Sequence, residues 1–305
     1  MMKKVIYTAI VGNYDYINQP LVVNKDFDYI LFSNDIDEDY VGVWEIRRLP
    51  PPCKNKDKVK VARWIKTHPH LLLSEYVYSV WIDSNVLIAS DDVYRRTDDL
   101  YRKGILISSM SHPERDCIYD ECLEVAVKKR DSLHRIIPEF LFLKHQKYPA
   151  KAGLCETNFV FRNHKNLLVQ KVCEDWWSMI DRFSRRDQLS FNYVNFTNQV
   201  QVDYFLGPKY CTHNHPFFEW HSHKESPYKS KIWVNYFEKH ACRIYKPTFT
   251  ALLHCEDESL KESILKYYLY TMDYFLNQIL VLRCNRYVHG VFAKFKKLLC
   301  IKKKT

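Results

Sequence analysis

The stretch VYSVWIDSNVLI, Val77 to Ile88, constrains the fold more than any other part of the chain. Its first half is apolar, β-branched or aromatic at nearly every position, the pattern of a strand covered on both faces. Such a strand needs layers packed above and below it, which points to an α/β sheet. The run is interrupted by Asp83-Ser84-Asn85 before apolar character returns. An acid and an amide there read either as a turn capping its own backbone or as a site facing a ligand.

The remainder alternates in the same sense. KKVIYTAIVG (3–12), FDYILFSND (27–35), GILISSM (104–110) and ETNFVFRNH (156–164) read as strands. KVKVARWIKTHPHLLL (58–73) reads as a helix broken near Pro69, and NLLVQKVCEDWWSMIDRF (166–183) as an amphipathic helix. ECLEVAVKKR and DSLHRIIPEFLFLKHQKY read as helices with a break around Pro138. In α/β sheets, sites form where strands end and the chain turns out. Polar clusters occupy those places: Tyr14-Asp15, Ser33-Asn34-Asp35, Asp83-Ser84-Asn85 and His112-Pro113-Glu114-Arg115. They imply one shared cleft.

Composition removes several alternatives. With 6 glycines there is no G-x-G-x-x-G and no Walker A loop, which argues against classical dinucleotide binding. The 10 cysteines contain no C-x-x-C pair, which fits thiols kept reduced in a cytoplasm rather than a zinc ribbon or disulfide framework. MMKKVIYTAIVGNYDY reads as a first buried strand rather than a signal peptide, and no apolar run is long enough to span a membrane. Much of the +10 net charge lies after Tyr274, where eight Lys or Arg and no acid occur. The body is therefore nearly neutral, and nucleic acid is not an expected partner.

Four groups of residues have chemistry to offer. Asp83 and Asn85 supply hard oxygen ligands suited to Mg²⁺ or Mn²⁺ bridging a diphosphate. Lys58, Lys60, Arg63 and Lys66 lie just upstream, and Lys56, Lys60 and Arg63 share a helix face that could hold phosphates or remain a solvated stripe. In SRRDQLSF (184–191), Ser184 is placed to cap a helix, with Arg185 and Arg186 beside Asp187 and Gln188. CTHNHPFFEWHSHK (211–224) carries His213, His215, His221 and His223; one of the last two could join Asp83 and Asn85 around a metal, or the segment is a polar loop.

YTAIVGNYDYI, KVKVARWIKTHPHLLLSEYVYSVWIDSNVLI, HPERDCIYDE, ETNFVFRNH and SRRDQLSFNYV, in this order, resemble the glycosyltransferase-like family once catalogued as domain of unknown function 616. That family includes bacterial surface-polysaccharide proteins and plant mucilage-related proteins, and the likeness covers roughly residues 3–225. It implies a GT-A-like α/β domain over 1–250 with a mixed central sheet, followed by C-terminal helices over 251–305. By the resemblance, a sugar moves from a nucleotide-diphosphate donor to a glycan or lipid-linked acceptor in surface polysaccharide synthesis. Asp83, Asn85, His221 and His223 would then hold Mn²⁺ or Mg²⁺, although Asn85 stands where many such enzymes carry a second acid. Tyr14, Asp15, Lys60, Arg63, His112, Arg115 and Arg186 would bind substrate, and Asp187, Gln188, Glu156 and Asn158 would line the reacting centre. The Asp-Gln pair favours retention over inversion. A metal-dependent lipid or ester hydrolase and a non-catalytic sugar-binding protein are the other readings.

The C-terminus adds a location. Val288, Val291, Phe292, Phe295 and Leu299 recur at helical spacing and are flanked by Lys294, Lys296 and Lys297. A basic amphipathic helix of this kind over 286–305 would hold the protein to an anionic membrane surface from the cytoplasmic side, or would dock onto the domain.

Overall fold

The computed structural model describes residues 2–50, 57–224 and 231–254. Strand β1 (Lys4–Ala9) pairs in parallel with β2 (Phe27–Phe32) on one side and β5 (Tyr78–Ile82) on the other. All three are buried on both faces, as their apolar composition demands. The full sheet has eight strands in the order β3 (Tyr40–Val41), β4 (Trp44–Arg47), β2, β1, β5, β8 (Cys155–Arg162), β7 (Ile107–Ser111) and β9 (Val202–Tyr204). β8 runs antiparallel to both neighbours, whereas β9 is parallel to β7. The sheet is therefore the mixed central sheet that the GT-A-like expectation required. A second, two-stranded ribbon pairs β6 (Val86–Ile88) with β10 (Phe218–Trp220). Strands β3, β4, β6, β9 and β10 are absent from the sequence reading because two to four residues are too few to show alternation.

Alternation along β1 sends side chains to two layers. Tyr7 reaches helix α1 (Lys58–Thr67), donating from its hydroxyl to the Lys66 carbonyl at 2.8 Å. Ile6 lies beside Tyr29 in the register, and the Tyr29 hydroxyl bonds that of Tyr94 on α3 (Asp92–Arg102) at 2.9 Å. α1 starts at Asp57, whose carboxylate accepts the Val59 N–H at 2.9 Å. It buries Val61 and Ile65 and stops at His68, because Pro69 opens the short α2 (Pro69–Leu72). α6 (Leu167–Arg182) is capped by Asn166 and packs Val169, Val172, Cys173, Trp176 and Ile180 inward. α1 and α7 (Gln188–Thr197) both pack against α6, and α7 also packs against β8.

α4 (Ile118–Val127) is followed by α5 (Leu133–His145), and here the expected break is missing. Pro138 sits inside α5, flanked by buried Ile136, Ile137 and Phe140. One lost backbone bond is tolerated where apolar burial holds the helix on either side of it. Two compact units result, Met1–Cys122 with Pro138–Tyr228, and Leu123–Ile137 with the chain from Lys229. In the second, α8 (Lys231–His254) buries Ala241, Tyr245, Phe249 and Leu252 at helical spacing. The expected boundary at residue 250 falls inside that helix. The basic stripe at 286–305 lies outside the described residues. Among the described residues no helix is long and apolar enough to cross a membrane.

The first unit places its own site. From β1 the chain moves outward to β2 and β4, then returns to lay β5 on the opposite side of β1. Strand order reverses between β1 and β5, and ligands of open α/β sheets bind beyond the carboxyl ends at such a reversal.

Candidate active site

Two turns meet at the reversal. After β1 the chain passes through Gly12 and Asn13, both with positive φ, at 77° and 55°. Their N–H groups converge on the Asp35 carboxylate, at 2.5 and 3.2 Å, so the turn after β2 fixes the turn after β1. After β5 comes Asp83-Ser84-Asn85, closed by a bond from the Val86 N–H to the Asp83 carbonyl at 2.9 Å. The Ser84 hydroxyl donates to Asp15, which joins the two turns.

Beneath them lies a buried cluster of charge. Asp187, only 2% exposed, meets the Arg63 guanidinium at 3.1 Å with one oxygen. Its other oxygen accepts from the Lys66 ammonium at 2.5 Å and from the Thr157 hydroxyl at 2.8 Å. Lys66 is 1% exposed and also stands 3.8 Å from Asp83. Burial pulls the Lys66 pKa down against the opposing charges of Asp187 and Asp83. Burial alone would raise Asp187, but Arg63, Lys66 and Arg186 outweigh it and hold the carboxyl well below the usual carboxylate range. The Asp187 carboxylate is thus held in its ionised form. Asp83 completes it by accepting the Trp81 indole N–H at 2.7 Å.

Thr157 owes its place to an irregularity in β8. Ser109 pairs with Val160 while Met110 pairs with Glu156, so extra residues bulge from β8 between these pairs. The bulge turns Thr157 to Asp187 and brings the Asn158 carbonyl onto the Asp83 N–H at 2.9 Å. Asn158 Oδ1 and Gln188 Nε2 are buried there without hydrogen-bond partners. Glu156, partly exposed, accepts from the Asn158 amide at 3.3 Å. Next to it the Arg115 guanidinium donates to buried Glu121 at 2.7 Å and to the His112 ring at 3.1 Å. His112 and Arg115 are therefore braced against Glu121.

Several sequence expectations change at this point. Asp187, expected beside the donor sugar, has both of its oxygens committed to Arg63, Lys66 and Thr157. Ser184 does not cap α7; its hydroxyl accepts from the Arg186 N–H at 3.1 Å, and Asp187 occupies the cap position with its carboxylate turned away to the cations. Lys60 ties α1 to α6 by donating to the Asp181 carbonyl at 2.6 Å, which directs it away from a phosphate role. The Tyr14 ring lies tilted against that of His223, with ring centroids 4.9 Å apart.

The four-residue metal shell is not assembled. Asn85 is 2% exposed; its side-chain Nδ2 donates to the His221 backbone carbonyl at 3.3 Å and its backbone carbonyl accepts the His221 N–H at 2.9 Å, so it fastens β10 to β6 while its Oδ1 is buried without a hydrogen-bond partner. The His221 ring bonds Asn18 at 2.9 Å, and the His223 ring bonds Asp15 at 2.7 Å. His213 stacks on Trp220 at 3.6 Å and His215 meets the edge of Phe217 at 4.3 Å. Among the described residues no group of three or more His, Cys, Asp or Glu is placed to hold a metal ion. Asp83, Asn85, His221 and His223 are thus held by separate partners rather than gathered as one cage. The segment instead straps across the two turns, with the Asp15 bond raising the His223 pKa.

Lys66, expected among the upstream cations that could hold phosphates, and Thr157, not expected at the site, both hold Asp187. Lys66 follows Arg63 by one helical turn and adjoins the buried Ile65, a usable signal. Thr157 had none, since a bulge leaves no mark in a strand pattern.

A family model described as TOD1/MUCI70, glycosyltransferase-like domain, matches residues 1–215. The solved structure of the bifunctional glycosyltransferase WbbM in its apo form is 12% identical with a TM-score of 0.42; the match covers 67% of this chain and 38% of that one. The chain thus spans well under half the length of WbbM. The 4-diphosphocytidyl-2C-methyl-D-erythritol synthase from Anaerococcus prevotii DSM 20548 is also 12% identical, with a TM-score of 0.39 over 78% of this chain and 95% of that one. No curated protein matches.

Proposed function

The chain belongs to the TOD1/MUCI70 glycosyltransferase-like family, and from that premise we propose that it transfers a sugar from a nucleotide-diphosphate donor to a hydroxyl of a glycan or lipid-linked acceptor. The observation that carries this reading is the company of the unpartnered amides. Asn158 Oδ1 and Gln188 Nε2 are buried and uncommitted beside a cluster in which Arg63, Lys66 and Arg186 outnumber Asp83 and Asp187. Buried polar atoms without partners are uncommon and call for a ligand or a functional reason. A sugar offers hydroxyls to amides and a diphosphate offers charge to guanidinium groups.

Sugar transfer breaks the bond between the anomeric carbon and the diphosphate oxygen, so negative charge grows on the leaving group. Arg63 and Arg186 supply positive charge for it, positioned before the reaction begins. Lys66 is too deeply buried to reach a ligand; it holds Asp187 and Asp83 apart and in place, and Asp187 in turn orients Arg63. Both are positioning residues. Asn158 and Gln188 would bind the sugar, with His112 and Arg115 on the acceptor side.

A thermal-shift series with UDP, GDP, CDP and their hexose conjugates, with and without Mn²⁺, tests the reading. A nucleoside diphosphate present at 100 times its dissociation constant adds about 2.7 kcal/mol of stability, a shift of several degrees. No shift with any of them at millimolar concentration would contradict it.

A further inference from the structure

The carboxyl groups at the carboxyl edge of the sheet differ in what holds them. Asp187 is held by Arg63, Lys66 and Thr157, Asp83 by Trp81 with Lys66 nearby, and Asp15 by Ser84 and His223. Glu121 takes Arg115, and Asp35 takes two backbone N–H groups. Glu156 has no ion-pair partner among the described residues. It receives one long bond from the Asn158 amide and a contact with the Cys211 thiol. It is also partly exposed, and Asn158 links it directly to the turn that carries Asp83.

A group that accepts a proton during sugar transfer must be reachable, uncommitted and close to the reacting carbon. We propose that Glu156 is the catalytic base of the transfer, which rests on the transferase reading above. The acceptor oxygen forms a bond to the anomeric carbon as its proton passes to a Glu156 carboxylate oxygen. The carbon–oxygen bond to the diphosphate breaks at the same time, and its electron pair leaves on the nucleoside diphosphate. The proton is later lost to water. A single displacement inverts the anomeric centre. A double displacement through a sugar bound covalently to Asp187 lacks a free carboxylate oxygen.

Burial raises the Glu156 pKa, opposed by Cys211 and Asn158, so its carboxylate is a stronger base than that of an exposed glutamate. Turnover should therefore fall as pH drops through a value above the ordinary one for glutamate, about 4.3.

The test uses the full chain, a panel of UDP- and GDP-hexoses and water as acceptor, with release of nucleoside diphosphate as the rate. Glu156→Gln should lower kcat by about 10²-fold or more while UDP or GDP affinity in calorimetry stays within about twofold. The acid limb of the wild-type profile should vanish in that variant, and Glu156→Asp should recover part of the rate. NMR should show the sugar released with its anomeric configuration inverted. A Gln variant that keeps near-wild-type kcat and the acid limb would overturn the proposal. Retained configuration in the wild-type product would also overturn it, and needs no variant to fold. Failure of the wild type to bind any nucleoside diphosphate would instead overturn the transferase reading, and this proposal with it.

Discussion

The cluster around Asp187 and the strap around His223 both join turns at the carboxyl edge of one sheet, yet they are built in opposite ways. In the cluster, Lys66 and Asp187 are nearly sealed from solvent and Asp187 alone takes three side-chain partners. In the strap, the His223 side chain is 41% exposed, and single bonds joining His223 to Asp15, His221 to Asn18 and Lys224 to Asn13 carry the crossing. Buried charge that is fully paired is costly to break from one side, whereas exposed pairs contribute little and are screened. The cluster fixes geometry, and the strap can yield.

The most severe way to break this contrast is to remove one charge from the cluster. Lys66→Met leaves Asp187 and Asp83 without their shared cation and should cost about 3–5 kcal/mol by urea denaturation. A loss below about 1 kcal/mol would place Lys66 among ordinary surface charges.

The second test follows pH. The folded pKa of Asp187 is depressed, so its contribution is present above the unfolded value of about 3.9 and is lost only as pH falls through the lower folded value. The stability difference between wild type and Asp187→Asn should hold from about pH 7 to about pH 4 and shrink below that. Shrinkage beginning near pH 6 would show that the carboxyl is not held by its cations.

These residues also show what a sequence can reveal. The long apolar runs of β1, β2, β5 and β8, and the stripe of α6, are legible because burial on fixed faces imposes a period. The site is legible as a place, since polar turns follow buried strands, and Arg63, Asp83, Glu156, Asn158, Asp187 and Gln188 do gather there. Their partners are not legible. Lys60 and Lys66 are both lysines of α1, but one meets Asp181 at the surface and the other meets Asp187 inside. The helix's rotation against α6 decides between them, and that is set by packing rather than local spacing. Asn85 reads as a ligand because only its own side chain is visible in the sequence; the strand it fastens lies more than a hundred residues later.

The strap gives the next smaller effect. Hydrogen bonding to Asp15 raises the His223 pKa, so the stabilisation it adds is fully present below about pH 6.5 and is lost as pH rises through the folded value. His223→Gln should therefore cost more at about pH 5.5 than at about pH 9, and no more than about 1 kcal/mol. An equal cost at both would mean that charge plays no part in the crossing. Smallest of all, Lys60→Ala removes an exposed tie to Asp181 and should change stability by at most about 0.5 kcal/mol. A loss as large as that of Lys66→Met would erase the distinction between buried and exposed pairs.

The central claim, that the reversal between β1 and β5 binds a nucleotide diphosphate over the Asp187 cluster, is tested most directly by a crystal structure grown with UDP or GDP. The account predicts diphosphate oxygens within hydrogen-bond distance of the Arg63 or Arg186 guanidinium, beyond the carboxyl ends of β1 and β5, with Lys66 still on Asp187. A diphosphate bound elsewhere on the protein, with these arginines untouched, would contradict it.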